Sequence, residues 1–222
     1  MNTNRTSEYV YPKKGMQNMV GNGLLVFIVD DDEAMRESLV ILMQSAGYRI
    51  ESYTSGMEFL EAWTEDKRGC MILDINLPDI SGLELQKILS ERGIDLPIVF
   101  LTGFGDVPKS STAFKAGAVN FLEKPVAVEI LLEGVQEALE LSSRLLENEA
   151  HRNQVATLYG HLTPREKEII VFLARGYSAK QIGRALNISH RTAEIHRARI
   201  MEKLGAESLA DLVALAIQMG VR

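Results

Sequence analysis

The stretch VFIVDDD, residues 26–32, ends a run of β-branched and aromatic residues on three consecutive aspartates. Three further segments repeat the pattern: MILDINLP at 71–78, VFLTG at 99–103 and FLEKP at 121–125. Each is a short apolar run closed by a chemically pointed residue and followed by turn or helix signals. Such runs read as strands buried on both faces of a parallel sheet. In an open parallel sheet the ligand site lies beyond the carboxyl ends of the strands. That rule gathers Asp30, Asp31, Asp74, Thr102 and Lys124 into one pocket. Clustered carboxylates, a hydroxyl and a lysine suit a hard divalent cation beside a phosphoryl group.

Outward from these segments, strands alternate with helical patterns. Amphipathic stretches fall at about 33–46, 55–65, 83–91 and 107–116, a further strand at 49–53, and a last helix begins near 126. Five βα units with right-handed crossovers predict an α/β doubly wound, five-stranded parallel sheet over residues 24–144. The last helix meets no proline after Pro125 and no glycine between Gly134 and Gly160, so it is expected to run on through a polar linker at 145–157. Its apolar seam fades by Leu145–Leu146, too early to favour a coiled coil. Residues 1–23 are polar, unpatterned and expected to be disordered. Residues 158–222 carry four helix starts, at Thr163-Pro164, Ser178, Ser189 and Ser208, which predict an all-α domain. The short turn Asn187-Ile188-Ser189 separates the middle two helices, an arrangement that reads as a helix-turn-helix.

Composition narrows the function. A chain of 222 residues has room for two small domains, and its single cysteine, Cys70, opens an apolar strand and reads as a core residue. No apolar stretch spans a bilayer and the N-terminus lacks a signal-peptide core, so the expected location is cytoplasmic, away from membranes. The net charge of −6 argues against nucleic acid until the chain is divided. Residues 157–222 hold ten Lys/Arg against six Asp/Glu, a net of +4, which leaves −10 for the rest. An acidic half joined to a basic one points to a metal site in the first and an anionic partner for the second.

Residues 24–142 closely resemble a response-regulator receiver domain, whose fold is flavodoxin-like. The acidic pair after the first strand, the lone Asp after the third, Thr-Gly after the fourth and Lys-Pro after the fifth fall in that family's order. The resemblance implies that Asp74 accepts a phosphoryl group from the phosphohistidine of a sensor histidine kinase. It further implies that Asp31, Asp74 and the carbonyl of Asn76 bind Mg²⁺, with Asp30 acting through water. Lys124 and Thr102 would contact the phosphoryl oxygens. Thr102 and Phe121 would relay the change, although core packing alone also explains a Phe at 121. Asn76 and Phe104 would flank the path of an attacking water. Asp30-x-Asp32 also permits a haloacid-dehalogenase-type phosphatase reading, but Ala34 stands where that family has Thr or Val. On that account Asp32 is expected instead to begin the first helix, where a carboxylate favours the dipole.

The segment from Leu162 to Leu204 resembles the LuxR/FixJ-type DNA-binding domain, and TGFGDVP with KAGAVNFLEKP narrows the likeness to FixJ-like regulators. On a helical wheel of 190–204, Ala193, His196, Ile200 and Leu204 fall on a core arc. Arg191, Glu194, Ile195 and Ala198 fall opposite, on the face that would enter the major groove of double-stranded DNA. His190 and Arg197 lie on one shoulder and Thr192, Arg199 and Lys203 on the other, within reach of phosphates. Lys180 and Ser189 complete the candidate DNA set. Arg191 suits guanine and Glu194 suits cytosine N4.

Two departures touch the oligomeric switch. Lys109-Ser110-Ser111-Thr112 is polar where FixJ-like receivers are apolar, and Val126 replaces a usual Phe. The resulting expectation is a regulator, not an enzyme, that phosphorylation activates, with pairing into a homodimer as one route, to bind DNA and engage RNA polymerase. The alternative is a receiver-like regulator that responds to a ligand or protein partner without phosphorylation.

Overall fold

The computed structural model describes residues 23–103 and 119–221. The chain divides into two compact units, residues 1–145 and 146–222. The helix expected at 107–116, the polar segment 109–112, Phe104 and nearly all of the N-terminal tail lie outside the described residues.

In the first unit, β1 (Leu25–Val29), β2 (Arg49–Tyr53), β3 (Gly69–Asp74), β4 (Ile98–Thr102) and β5 (Asn120–Glu123) form one parallel sheet in the order β2-β1-β3-β4-β5. The three central strands are almost wholly buried, which is why their sequences read as continuous apolar runs. Alternation sends Phe27, Val29, Met71, Leu73 and Phe100 to one face, where they meet Phe59, Leu60, Leu85 and Leu89. Those partners belong to α2 (Gly56–Ala62) and α3 (Gly82–Glu91). On the other face the Cys70 thiol lies 3.9 Å from the Val135 carbonyl of α4 (Val128–Gly160). The right-handed β1–β2 crossover places α1 (Glu33–Ser45) on that same side. Strand order reverses between β1 and β3, so the crevice beyond their carboxyl ends is the natural ligand site.

Local chemistry sets the helix starts. Asp32, Ser55 and Ser81 each accept a hydrogen bond from a backbone N–H in the first turn of the helix that follows. One expectation changes: α2 ends at Ala62 rather than near 65. Trp63 turns to an extended conformation there, and its ring packs 5.7 Å from Phe27 and 5.5 Å from Phe59. Burying indole area on the core outweighs one more helical turn. The single helix α4 runs unbroken for 33 residues, through the polar stretch at 145–157. No described helix is long and apolar enough to cross a membrane.

The second unit contains α5 (Pro164–Ala174), α6 (Ala179–Leu186), α7 (His190–Leu204) and α8 (Leu209–Gln218). Thr163, Ser178, Ser189 and Ser208 are their N-caps, three of them in full capping boxes. The core joins Ile169, Ile170 and Leu173 to Ile182, Ala193, Ile200, Leu204 and Leu212. Between α6 and α7, Asn187 takes a left-handed conformation (φ 51°), and the turn folds back over Gly183. A Cβ at 183 would stand 2.8 Å from the Ile188 carbonyl oxygen. Gly183→Val is therefore expected to destabilise this unit by about 2–3 kcal/mol through overpacking, read as a lower urea midpoint for loss of helical circular dichroism.

Candidate functional site

The acidic site is built where β1, β3, β4 and β5 end. The carboxylates of Asp30, Asp31 and Asp74 converge so that one oxygen from each lies within 4.8 Å of the others. Lys124, just past β5, donates to Asp30 Oδ2 at 2.8 Å and to Asp74 Oδ2 at 2.6 Å. These partners stand 94 and 50 residues away in sequence. The Asn76 N–H donates to Asp74 Oδ1 at 3.1 Å. Thr102 closes β4, is 2 % exposed and donates to the Gly103 carbonyl at 3.2 Å. Phe121 is half-buried with its ring 6.0 Å from that of Phe100.

Electrostatics in the cluster are strongly coupled. Burial pushes the Asp30 carboxyl above its ordinary range, against the opposing pull of Lys124. For Lys124 burial works downward, but its bonds to Asp30 and Asp74 win and hold the ammonium above its ordinary value. The lysine is thus a fixed cation among three carboxylates. All three aspartates offer hard oxygen donors from a site open at Asp31, the donor set that suits a small divalent cation.

Asp32 takes no part in the cluster. Its carboxylate accepts from Met35 N at 3.1 Å, and its own N–H donates to Asp30 Oδ1 at 2.9 Å. The Asp32 carboxylate thus serves the start of α1, as the sequence predicts for it, while that of Asp30 faces the cluster.

Three supports lie outside the sequence-derived set. Arg36, one turn into α1, donates from Nη1 to the carbonyl of Asp30 at 2.8 Å and at 3.5 Å to that of Asp31. Asp79 accepts from the N–H groups of Gly56 at 3.3 Å and Met57 at 2.7 Å, and so ties the loop after β3 to the start of α2. Gly82 begins α3 so close to β3 that a Cβ there would overlap the Asp74 carbonyl oxygen. A glycine eight residues after a strand-ending Asp is the one of the three that sequence could have flagged.

In the second unit, α7 presents Arg191, Ile195, Ala198 and Arg199 to solvent, with Ile195 45 % exposed. Ala193, Ile200 and Leu204 are buried as the wheel requires, and His196 is half-buried with its Nδ1 enclosed. Glu194 lies 3.9 Å from His190 Nε2 and 3.8 Å from Arg197 Nη1, so the basic flanks restrain its carboxylate. Ser189 and Thr192 are engaged in the cap of α7, and Lys180 is exposed on α6. Lys203 departs from the expectation of a phosphate contact. Its ammonium donates to the buried carboxylate of Glu166 at 2.6 Å and to the His161 carbonyl at 3.2 Å. A long side chain at the end of α7 reaches back to α5 instead of outward, and Lys203 is a scaffold cation.

Residues 26–136 match the response regulator receiver domain, and residues 160–216 match the bacterial regulatory proteins of the luxR family. The chain belongs to the LuxR-type response regulators. The transcriptional regulatory protein TdiR of Thauera aromatica is 39 % identical over 193 residues, 87 % of this chain and 85 % of that one. The transcriptional regulatory protein FixJ of Azorhizobium caulinodans is 40 % identical over 198 residues, 89 % and 94 % of the two chains. The solved structure of the response regulator StyR superposes with a TM-score of 0.80 at 38 % identity, covering 88 % of this chain and 99 % of that one. As a response regulator the protein is a transcriptional component of a two-component system, with a receiver that implies a sensor kinase and a second domain that implies DNA.

Proposed function

We propose that this response regulator is switched by transfer of a phosphoryl group from a sensor histidine kinase to Asp74. The observation that carries the reading is Lys124 bonded to both Asp30 and Asp74, with Asp31 completing the acidic cluster. Asp74 Oδ attacks phosphorus, the P–N bond of the phosphohistidine breaks, and the released imidazole takes up a proton. Asp31, Asp74 and the Asn76 carbonyl would hold Mg²⁺, with Asp30 behind them through water. Bound there, the cation would supply charge neutralisation for the transferred phosphoryl. Lys124 then re-aims its ammonium at a phosphoryl oxygen and Thr102 donates to another. Thr102 leaves its bond to Gly103, and Phe121 moves into the space beside β4. Beyond its own phosphorylation the receiver is no enzyme.

The output is DNA binding by residues 158–222, with 24–144 as receiver and 145–157 as helical linker. Arg191, Glu194, Ile195 and Ala198 read bases, while Lys180, Ser189, His190, Thr192, Arg197 and Arg199 hold the backbone. Pairing of two phosphorylated copies on a two-fold site, and engagement of RNA polymerase in the cytoplasm, complete the proposal. Arg191→Ala is expected to weaken the cognate site by about 1–3 kcal/mol. Arg199→Ala is expected to weaken all sequences about equally and to reduce the salt slope by about one. Gel-shift titrations across salt concentrations check both.

The direct test treats the protein with a small acyl phosphate and Mg²⁺, maps the phosphoryl group by mass spectrometry and measures operator affinity. Label on Asp74 with tighter DNA binding is expected. Label elsewhere, or affinity that ignores the label, would overturn the proposal and leave a ligand or protein partner as the stimulus.

A further inference from the structure

The turn from β1 into α1 must aim two neighbouring carboxylates at one point, although successive side chains in extended backbone point apart. Asp30 is held at both carboxylate oxygens, by the Asp32 N–H at 2.9 Å and by Lys124 at 2.8 Å. Asp31 is exposed, and among the described residues no hydrogen bond or ion pair reaches its carboxylate. Its direction therefore depends on the backbone. The Asp30 carbonyl belongs to the peptide plane that leads into Asp31. Holding that oxygen fixes the plane and hence the Cα–Cβ direction of Asp31. Arg36 holds it at 2.8 Å and reaches the next carbonyl at 3.5 Å.

We propose that Arg36 is a positioning residue of the acidic site, which locks the Asp30–Asp31 peptide so that the Asp31 carboxylate is preorganised for a divalent cation. The inference rests on the metal-binding reading of that site. Simple electrostatics gives the opposite sign. A guanidinium beside three carboxylates repels an incoming cation, so its removal by Coulomb forces alone would tighten metal binding. Positioning makes removal weaken it.

The experiment is calorimetric titration of Mg²⁺ into the full chain, as wild type, Arg36→Met and Arg36→Lys, with melting midpoints in chelator alongside. Arg36→Met is expected to raise the Mg²⁺ Kd about tenfold, the worth of one charge-assisted hydrogen bond. Arg36→Lys keeps a donor and is expected to stay within about threefold of wild type on the same scale. The metal-free midpoints are expected to agree. An unchanged or tighter Kd in Arg36→Met overturns the proposal, as does a lysine variant as weak as the methionine one. A metal-free midpoint that falls along with affinity makes Arg36 a general scaffold residue and equally overturns it. Wild-type protein that binds no Mg²⁺ removes the metal reading itself, and the proposal with it.

Discussion

Asp74→Asn is expected to abolish phosphoryl incorporation from an acyl phosphate and with it the phosphodonor-dependent gain in operator binding. An amide does not form the acyl phosphate, and the neighbouring Asp30 is 2 % exposed with both oxygens engaged. The fold should persist. Asn can still accept from Lys124, and the change removes one of three clustered negative charges, so the metal-free melting midpoint is expected to be unchanged or higher. Radiolabel incorporation and gel shifts with and without phosphodonor measure the effect. A labelled variant, or a variant whose DNA binding still responds to phosphodonor, would remove Asp74 from the acceptor role.

The second large effect lies at Glu166 and Lys203. Glu166 is 3 % exposed. Burial opposes its charge, but Lys203 and the Thr163 N–H outweigh burial and hold its pKa at about 2, against an ordinary 4.5. A depressed carboxylate contributes stability that is fully present above about pH 4.5 and is lost as pH falls toward 2. Lys203→Met leaves that carboxylate buried without its main cation. Breaking a buried pair costs about 3–5 kcal/mol, and with Lys203 34 % exposed we expect about 2–3 kcal/mol at pH 7. The deficit should shrink toward pH 3, where Glu166 in the variant takes up a proton. Urea unfolding of the full chain at both pH values, followed by helical circular dichroism, reads it. Fluorescence of the single tryptophan, Trp63, reports on the other unit and should not move. A deficit independent of pH would show that lost packing of the lysine stem, not the charge pair, is responsible.

The sequence exposes those parts of the molecule whose physics is local. Central strands are legible because two-sided burial leaves an uninterrupted apolar run, and helix starts because Thr163, Ser178, Ser189 and Ser208 cap within three residues. The acidic pocket follows from one topological rule applied to strand ends. What is not legible depends on side-chain reach. Arg36 acts backwards on a carbonyl six residues earlier, a contact fixed by the turn at Asp30–Asp32 rather than by any spacing rule. Lys203 meets Glu166 across 37 residues. A helical wheel treats a side chain as a short spoke, whereas lysine in a last turn lies along its neighbours. The shortened α2 is a tertiary decision as well, made by the indole of Trp63 and invisible to capping rules.

The order in which the site's parts occur along the chain has a consequence for synthesis. The three carboxylates are complete once residue 74 has been made, but the cation that bridges two of them, Asp30 and Asp74, follows an edge strand, β5, 50 residues later. A nascent chain that has not yet docked that strand holds uncompensated negative charge and no lysine to meet an incoming phosphoryl. On the proposed phosphotransfer, competence to receive the signal would arrive only with the last strand of the sheet.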